Sequence, residues 1–209
     1  MKKSINIIST VFLLFFITSS ICAQSVKIGP RLSGNLNIYN ADGLTGTWNG
    51  IGVGIGGAVD ISFSQKLGIL TNLTVFDMKN FSNSITQGTT TQETSASLSY
   101  LTIDPMFKVE FSGFYMVGGP SIGIKLSSSG ERTTTAAGQT PTVTALNITT
   151  NTLKFDIAVG TGYNFRLSQD LILGSDLIAY IPLTSTYDSP GVSNSVFTIK
   201  LGASLKFRL

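Results

Sequence analysis

Residues 196–209, Val-Phe-Thr-Ile-Lys-Leu-Gly-Ala-Ser-Leu-Lys-Phe-Arg-Leu, decide the fold. Phe197, Ile199, Leu201, Leu205, Phe207 and Leu209 fall on one parity, and Thr198, Lys200, Ser204, Lys206 and Arg208 fall on the other. A repeat of two is a β-strand, because successive side chains leave a strand on opposite faces. Large aliphatic and aromatic groups on one face and Lys or Arg on the other describe a strand with lipid outside and a polar lumen inside.

The same alternation recurs along the chain. Val26, Ile28, Pro30, Leu32, Leu36 and Ile38 oppose Lys27, Arg31, Ser33, Asn35 and Asn37, and Ile51, Val53, Ile55, Val59, Ile61 and Phe63 oppose glycines, Ala58, Asp60 and Ser62. Leu67 to about Met78 and Leu171 to Leu183 alternate less cleanly. From Ala96 to Phe111 the outward set is Leu101, Ile103, Pro105, Phe107, Val109 and Phe111, with Tyr100, Thr102, Asp104, Lys108 and Glu110 inward. Phe114 to Leu126 turns Tyr115, Ser121 and Lys125 inward, and Leu153 to Phe165 does so with Lys154, Asp156 and Asn164. The chain therefore predicts an all-β fold, an eight-stranded antiparallel up-and-down transmembrane barrel.

Composition agrees. Charged residues are 12% of the chain and mean hydropathy is +0.30, yet no apolar segment beyond the N-terminal run approaches, and that run itself falls short of, the roughly 20 residues of a spanning helix. Backbone groups in hydrocarbon must be paired internally, which a closed barrel achieves with strands.

Lys2 and Lys3, the apolar run Val11 to Ile17 and the small-residue stretch Ser19-Ser20-Ile21-Cys22-Ala23 form a secretory signal. Residues 1–23 are expected to be removed, leaving a barrel domain over 24–209. The apolar run is short for a retained anchor, and Ile21 before Cys22 argues against a lipoprotein site. Beyond Ala23 there is no Cys, so no disulfide supports the fold. Lys2 and Lys3 lie in the leader, which leaves 12 Lys+Arg against 11 Asp+Glu and a surplus of about one charge. Nothing in that balance calls for nucleic acid.

Connections alternate in length. Ser64 to Leu67, Phe111 to Phe114 and Phe165 to Leu171 are tight, whereas residues 39–50, 79–95, 127–152 and 184–195 read as long loops rich in Gly, Ser, Thr and Asn. Short turns belong to the periplasm and long loops to the outside, so the expected location is the bacterial outer membrane, with both termini periplasmic. Outward Phe63, Phe107, Phe111, Phe114, Phe165 and Phe207 near the short turns read as an interfacial aromatic girdle. The expected surroundings are the lipid bilayer and lipopolysaccharide.

Ser99-Tyr100-Leu101-Thr102-Ile103-Asp104-Pro105-Met106-Phe107-Lys108, then Phe114-Tyr115-Met116-Val117-Gly118-Gly119-Pro120-Ser121-Ile122-Gly123, and later Phe155-Asp156-Ile157-Ala158-Val159-Gly160-Thr161-Gly162-Tyr163-Asn164-Phe165, resemble the PorT-like outer-membrane β-barrel family of Bacteroidota. The resemblance spans essentially the whole mature chain and implies an eight-stranded barrel. It also implies, for some members, a part in a protein-secretion machine. Its motifs are structural, so no functional residue carries over. One departure is the terminal Leu209, where barrel-assembly signals favour an aromatic; Phe207 lies two residues earlier on the same face.

Gly52-Val53-Gly54-Ile55-Gly56-Gly57 matches a dinucleotide fingerprint, but that motif needs a following helix. Here Asp60-Ile61-Ser62-Phe63 continues the strand, so the glycines read as small lumen residues that make room for bulky side chains opposite. The chain has no His. Without it the usual general base at neutral pH is missing, and with no mature Cys a transition-metal site lacks ligands. The expectation is a non-enzymatic protein with no cofactor, metal or catalytic residues. Asn72-Leu73-Thr74, Asn80-Phe81-Ser82 and Asn147-Ile148-Thr149 match the glycosylation triplet at the frequency expected by chance.

The inward charges Arg31, Asp104, Asp176 and Lys200 sit near mid-strand, and the first, seventh and eighth strands become neighbours on closure. Unpaired charges there would be costly, and eight strands leave an interior about wide enough for side chains. These four residues are expected to belong to a structural network that fills the lumen; a conductive path is the alternative. Lys27, Arg166, Lys206 and Arg208 gather at the short-turn mouth, either solvated or facing anionic phosphates.

Three roles stay open. The first is structural, adhesive or partner-binding, through loops 79–95 and 127–152, whose Thr and Ser runs either extend the strands as a sticky edge or are flexible filler. The second is a narrow porin-like channel or a conduit for small apolar molecules. The third, a soluble lipocalin-like barrel, is opposed by parity, since the charged face carries the small residues.

Overall fold

A computed structural model of the chain describes residues 25–42, 48–187 and 194–209. The expected leader, its cleavage point and the middle of the expected loop 184–195 lie outside these residues. The strands are β1 (Ser25–Ala41), β2 (Trp48–Ser62), β3 (Leu67–Gln87), β4 (Thr90–Phe111), β5 (Phe114–Ala136), β6 (Thr142–Leu146), β7 (Leu153–Arg166), β8 (Leu171–Pro182) and β9 (Asn194–Arg208). Every pairing is antiparallel, in the order β4-β3-β2-β1-β9-β8-β7-β5, and β4 pairs with β5 to close the ring. The all-β, eight-stranded barrel expected from parity is the architecture observed. A ninth strand, β6, stands outside the ring and pairs with β5 from Gly130↔Leu146 to Thr134↔Thr142.

Alternation sets the two faces. Leu32, Ile51, Leu73, Ile103, Met116, Val159, Leu177 and Leu201, one from each strand of the ring, are exposed, and Ile51 is 75% exposed. Burying such side chains is normally worth about 1.5–3 kcal/mol each. A continuous apolar exterior of this kind is a surface made for lipid rather than water.

Two of the short turns use the same local device. Ser64 Oγ accepts hydrogen bonds from the backbone N–H of Lys66 (3.2 Å) and Leu67 (3.0 Å), and Ser168 Oγ accepts them from Asp170 (3.3 Å) and Leu171 (3.1 Å). The sequences Ser64-Gln65-Lys66-Leu67 and Ser168-Gln169-Asp170-Leu171 echo each other for that reason. The third turn pairs Phe111 with Phe114 around Ser112 and Gly113, at φ 52° and 94°. Positive φ at both central residues is the type I′ requirement that matches the right-handed twist of a hairpin.

At the other end the loop boundaries need correction. Residues 79–95 are not a loop: β3 and β4 pair without a break from Asn80↔Ser97 up to Gln87↔Thr90, across a turn at Gly88-Thr89. Residues 127–152 also begin as strand, with β4–β5 pairing continuing to Thr90↔Ala136. Polar residues on both faces hid these strands, because the alternation signal needs one apolar face. β4 and β5 have 22 and 23 residues, about twice the 9–11 that cross a bilayer. The sheet β3-β4-β5-β6 therefore rises well past the apolar belt.

The imperfect alternation of β3 has a physical cause. The register with β4 shifts between Thr74 and Asp77, so Val75 and Phe76 both face outward. This bulge switches the inward parity from Leu70, Asn72 and Thr74 to Asp77, Lys79 and Phe81. It also brings the β3 backbone against β2: a Cβ on Gly52 or Gly56 would collide with the carbonyls of Met78 or Leu73. Gly52 and Gly56 thus make room for a neighbouring backbone, whereas a Cβ on Gly54 would meet side chains, those of Ser33 and Thr74.

Candidate functional site

The lumen is the best-defined site, and β4 shows its layers in order. From the short-turn end its inward side chains are Glu110, Lys108, Met106, Asp104, Thr102, Tyr100 and Leu98, which run from charged through mixed to aromatic.

Nearest the short turns, Asp60 on β2 receives hydrogen bonds from Lys108 (2.5 Å) on β4 and Lys206 (2.9 Å) on β9. Lys108 also reaches Glu110 (2.8 Å), and Lys206 reaches Asn164 Oδ1 (2.9 Å). Lys206 is therefore an interior residue, 1% exposed, and not a solvated member of the mouth cluster. Both ammonium groups lie over the Tyr115 ring, at 5.9 and 5.7 Å, where a ring quadrupole favours cations.

The middle layer mixes apolar packing with charge. Ala58, Leu70, Met106, Tyr115, Val117, Ala158, Ile178 and Tyr180 form one buried cluster. Inward Ile178 and Tyr180 explain why β8 reads poorly, since an apolar lumen residue breaks the polar parity. Against this cluster Arg31 is paired with Asp176 across β1 and β8. The pair needs the missing side chain of Gly202, where a Cβ would strike Arg31 Nη2 and Asp176 Oδ1. Asp104 accepts hydrogen bonds from Ser121 (2.6 Å) and Tyr180 (2.8 Å).

Above it Asp77 accepts bonds from Lys200 (2.8 Å) and Asn35 (2.8 Å) and lies 3.6 Å from Lys79. Lys79 donates to Thr198 (3.0 Å), which donates to Asn37 (3.1 Å). Lys154 and Asp156 pair at 2.5 Å. The uppermost layer is apolar: Phe81, Ala96, Leu98, Tyr100 and Val196, with Tyr39, Trp48, Ile148 and Tyr187 packed on it. Tyr39 stacks on Phe81 at 5.1 Å and meets Tyr187 edge-on at 5.4 Å.

All four residues expected in the lumen are buried there. The structure brings Arg31 and Asp176 together, takes Lys200 to Asp77, and holds Asp104 with two hydroxyls. Asp77 and Lys79 are the residues that parity missed. Their signal was the adjacent outward pair Val75-Phe76, which marks the bulge. Among the described residues no group of three Asp, Glu, Cys or His could hold a metal.

Many of these bonds join strands that are not neighbours in the ring, such as β2 to β4, β3 to β9 and β4 to β8. The interior is thus crosslinked from wall to wall. Among the described residues six cations and five carboxylates are buried in it, and Glu110, paired with Lys108, supplies the sixth acid. Near-neutrality is what a poorly solvated interior demands, because each unpaired charge there costs several kcal/mol.

No family model matches the chain, and no curated protein matches it in sequence. Among solved structures it is similar to the attachment invasion locus protein Ail of Yersinia pestis, at 14% identity and a TM-score of 0.40 over 87% of this chain and 98% of that one. It is also similar to Neisserial surface protein A, at 10% identity and 0.40 over 88% and 97%. The outer membrane protein OprG of Pseudomonas aeruginosa matches at 11% identity and 0.42 over 90% and 96%. These likenesses carry no role across, and the architecture rests on the strand pairing itself.

Proposed function

We propose that this chain is an integral barrel of the bacterial outer membrane, exported by a leader over residues 1–23, non-enzymatic and closed to solutes. In this reading it acts by docking a protein or surface partner on the sheet that β3, β4, β5 and β6 raise beyond the membrane. The apolar belt supports embedding among lipid and lipopolysaccharide, and the neutral, wall-to-wall interior supports closure. The absence of His and of mature Cys supports a non-catalytic role.

The observation that carries the docking role is the continuation of β4–β5 pairing to Thr90↔Ala136 with β6 added alongside. Among the described residues β6 pairs only with β5, so Thr142 to Leu146 offer a second row of backbone donors and acceptors, the feature that partner strands add to. Val143, 61% exposed, gives that edge an apolar point.

A photocrosslinking residue placed at Thr144 in intact cells is expected to give a discrete adduct, and one at Gln169 on the short-turn side a different adduct or none. The same pattern from both ends would overturn the docking role. Planar-bilayer recording is expected to give a flat baseline, whereas discrete conductance steps would favour the channel reading.

A further inference from the structure

The short-turn mouth opens on a cavity of about 750 Å³ whose lining includes Lys27, Arg166, Arg208, Glu110, Asn164 and Ser62. Its three cations outnumber its one acid, Glu110. Lys27, Arg166 and Arg208 form no ion pair among the described residues. The two acids nearest the floor are already engaged, Asp60 by Lys108 and Lys206, and Glu110 by Lys108. The remaining acid at this end, Asp170, lies on the β7–β8 turn and contributes its backbone carbonyl to the N–H of Arg208 (2.9 Å).

Strand register sharpens the point. Lys27 on β1 is the direct partner of Arg208 on β9. Like charges placed directly opposite each other destabilise a sheet, and here both border a cavity whose one acidic lining residue, Glu110, is already bonded to Lys108. Elsewhere this barrel pairs its inward cations with some care, so the exception lies where a ligand can enter. The hydroxyls of Ser25, Ser62, Ser64 and Ser112 line the same cavity. Cationic heads with interspersed hydroxyl donors suit the tetrahedral oxygens of a phosphate group, which take charge-assisted and neutral hydrogen bonds together.

We propose that this mouth is a binding site for a phosphate-bearing anion, held by Lys27, Arg166 and Arg208 above the Asp60–Lys108–Lys206 floor. The source is either the headgroup of an anionic phospholipid in the adjoining leaflet or a soluble phosphate compound. The site needs only the geometry of this mouth and does not depend on the docking role of the far sheet.

The test uses the full mature chain in phosphatidylcholine nanodiscs, titrated calorimetrically with inorganic pyrophosphate. Saturable binding is expected, weakened about tenfold or more by each of Lys27→Gln, Arg166→Gln and Arg208→Gln. Lys66→Gln, a cation at the same end that does not line this cavity, is expected to leave affinity unchanged. Heat-modifiable migration in gels checks that every variant is folded. Repeating the titration in phosphatidylglycerol nanodiscs separates the sources. Loss of pyrophosphate binding there identifies the lipid headgroup as occupant, and retained binding identifies a soluble phosphate. No heat of binding at millimolar pyrophosphate in phosphatidylcholine would overturn the proposal. So would equal weakening by Lys66→Gln and Arg208→Gln, which would mean diffuse attraction and not a site.

Discussion

Replacing Asp77 by Asn keeps the shape of the side chain and removes its charge. Lys200 and Lys79, 1% and 2% exposed, then lose their shared carboxylate. Lys79 keeps Thr198, while Lys200 keeps the Tyr180 ring, 4.5 Å from its ammonium group. Breaking a buried ion pair by removing one partner costs about 3–5 kcal/mol. Against a total stability of about 5–15 kcal/mol the variant should still fold. With a urea slope of about 1–3 kcal/mol per molar, its unfolding midpoint should fall by roughly 2 M.

The assay is urea unfolding of the refolded barrel in phosphatidylcholine vesicles, followed by heat-modifiable migration and by fluorescence of Trp48, the single tryptophan of the chain. Lys200→Met added to Asp77→Asn removes one orphaned cation and should recover at least half of the loss, because the cost lies in the leftover charge and not in the missing contact. Glu131→Gln, on the protruding sheet, should stay within about 0.5 kcal/mol of the parent. An unchanged midpoint for Asp77→Asn would refute the reasoning, because it would mean that water already solvates these lysines. The closed-lumen reading would fall with it.

Three further outcomes follow from the same geometry. Gly202→Val drives a side chain into the Arg31–Asp176 pair and should cost about 3 kcal/mol or prevent folding; Gly34→Val, with nothing within 4 Å of its Cβ, should change stability by no more than about 0.5 kcal/mol, and equal losses in urea unfolding would refute the steric argument. Ser112→Gly releases a residue held at φ 52° and should raise stability by up to about 1 kcal/mol, whereas a lower unfolding midpoint would mean that the Ser side chain itself holds the turn. Leu32→Arg, mid-strand and 60% exposed, should cost about 2–4 kcal/mol in vesicles; Thr91→Arg on the protruding sheet should cost almost nothing, and a Leu32→Arg barrel as stable as its parent would place the belt outside the bilayer.

Legibility in the sequence followed the physics of each face. β9 could be read residue by residue, because lipid and lumen impose opposite chemistry on alternate positions from Phe197 to Phe207. β3 could not, because the bulge at Val75-Phe76 changes which parity faces inward, and a fixed period of two loses Asp77 and Lys79 after it. The upper ends of β4 and β5 were invisible for a different reason. Outside the membrane both faces meet water, so Thr90 to Ser95 and Ser127 to Ala136 carry no amphipathic signal, only the β-propensity of their threonines. Pairing partners were the third gap. Parity says that Arg31, Asp104, Asp176 and Lys200 point inward, but how high each sits and what it meets across the lumen depends on strand tilt and stagger. That is why alternation alone does not specify the Arg31–Asp176 and Lys200–Asp77 pairs.

Neutrality of the lumen has a consequence for the two ends. Among the described residues, with six cations and, counting Glu110, six acids taken up inside, the charges that remain are segregated. The short-turn end carries Lys27, Lys66, Arg166 and Arg208 against Asp170, while the long-loop end carries Lys125 and Arg132 against Asp42, Glu93 and Glu131. An interior that must balance its own charge cannot transmit a field of either sign by rearranging a single side chain, since any such move would strand a partner in low dielectric. The two mouths are therefore expected to behave independently, one cationic and concave, the other polar, extended and edge-bearing. Substitutions at Lys27 or Arg208 should leave the proposed docking at β6 untouched in crosslinking, and changes to β6 should leave the proposed phosphate binding at the other mouth as it was in calorimetry.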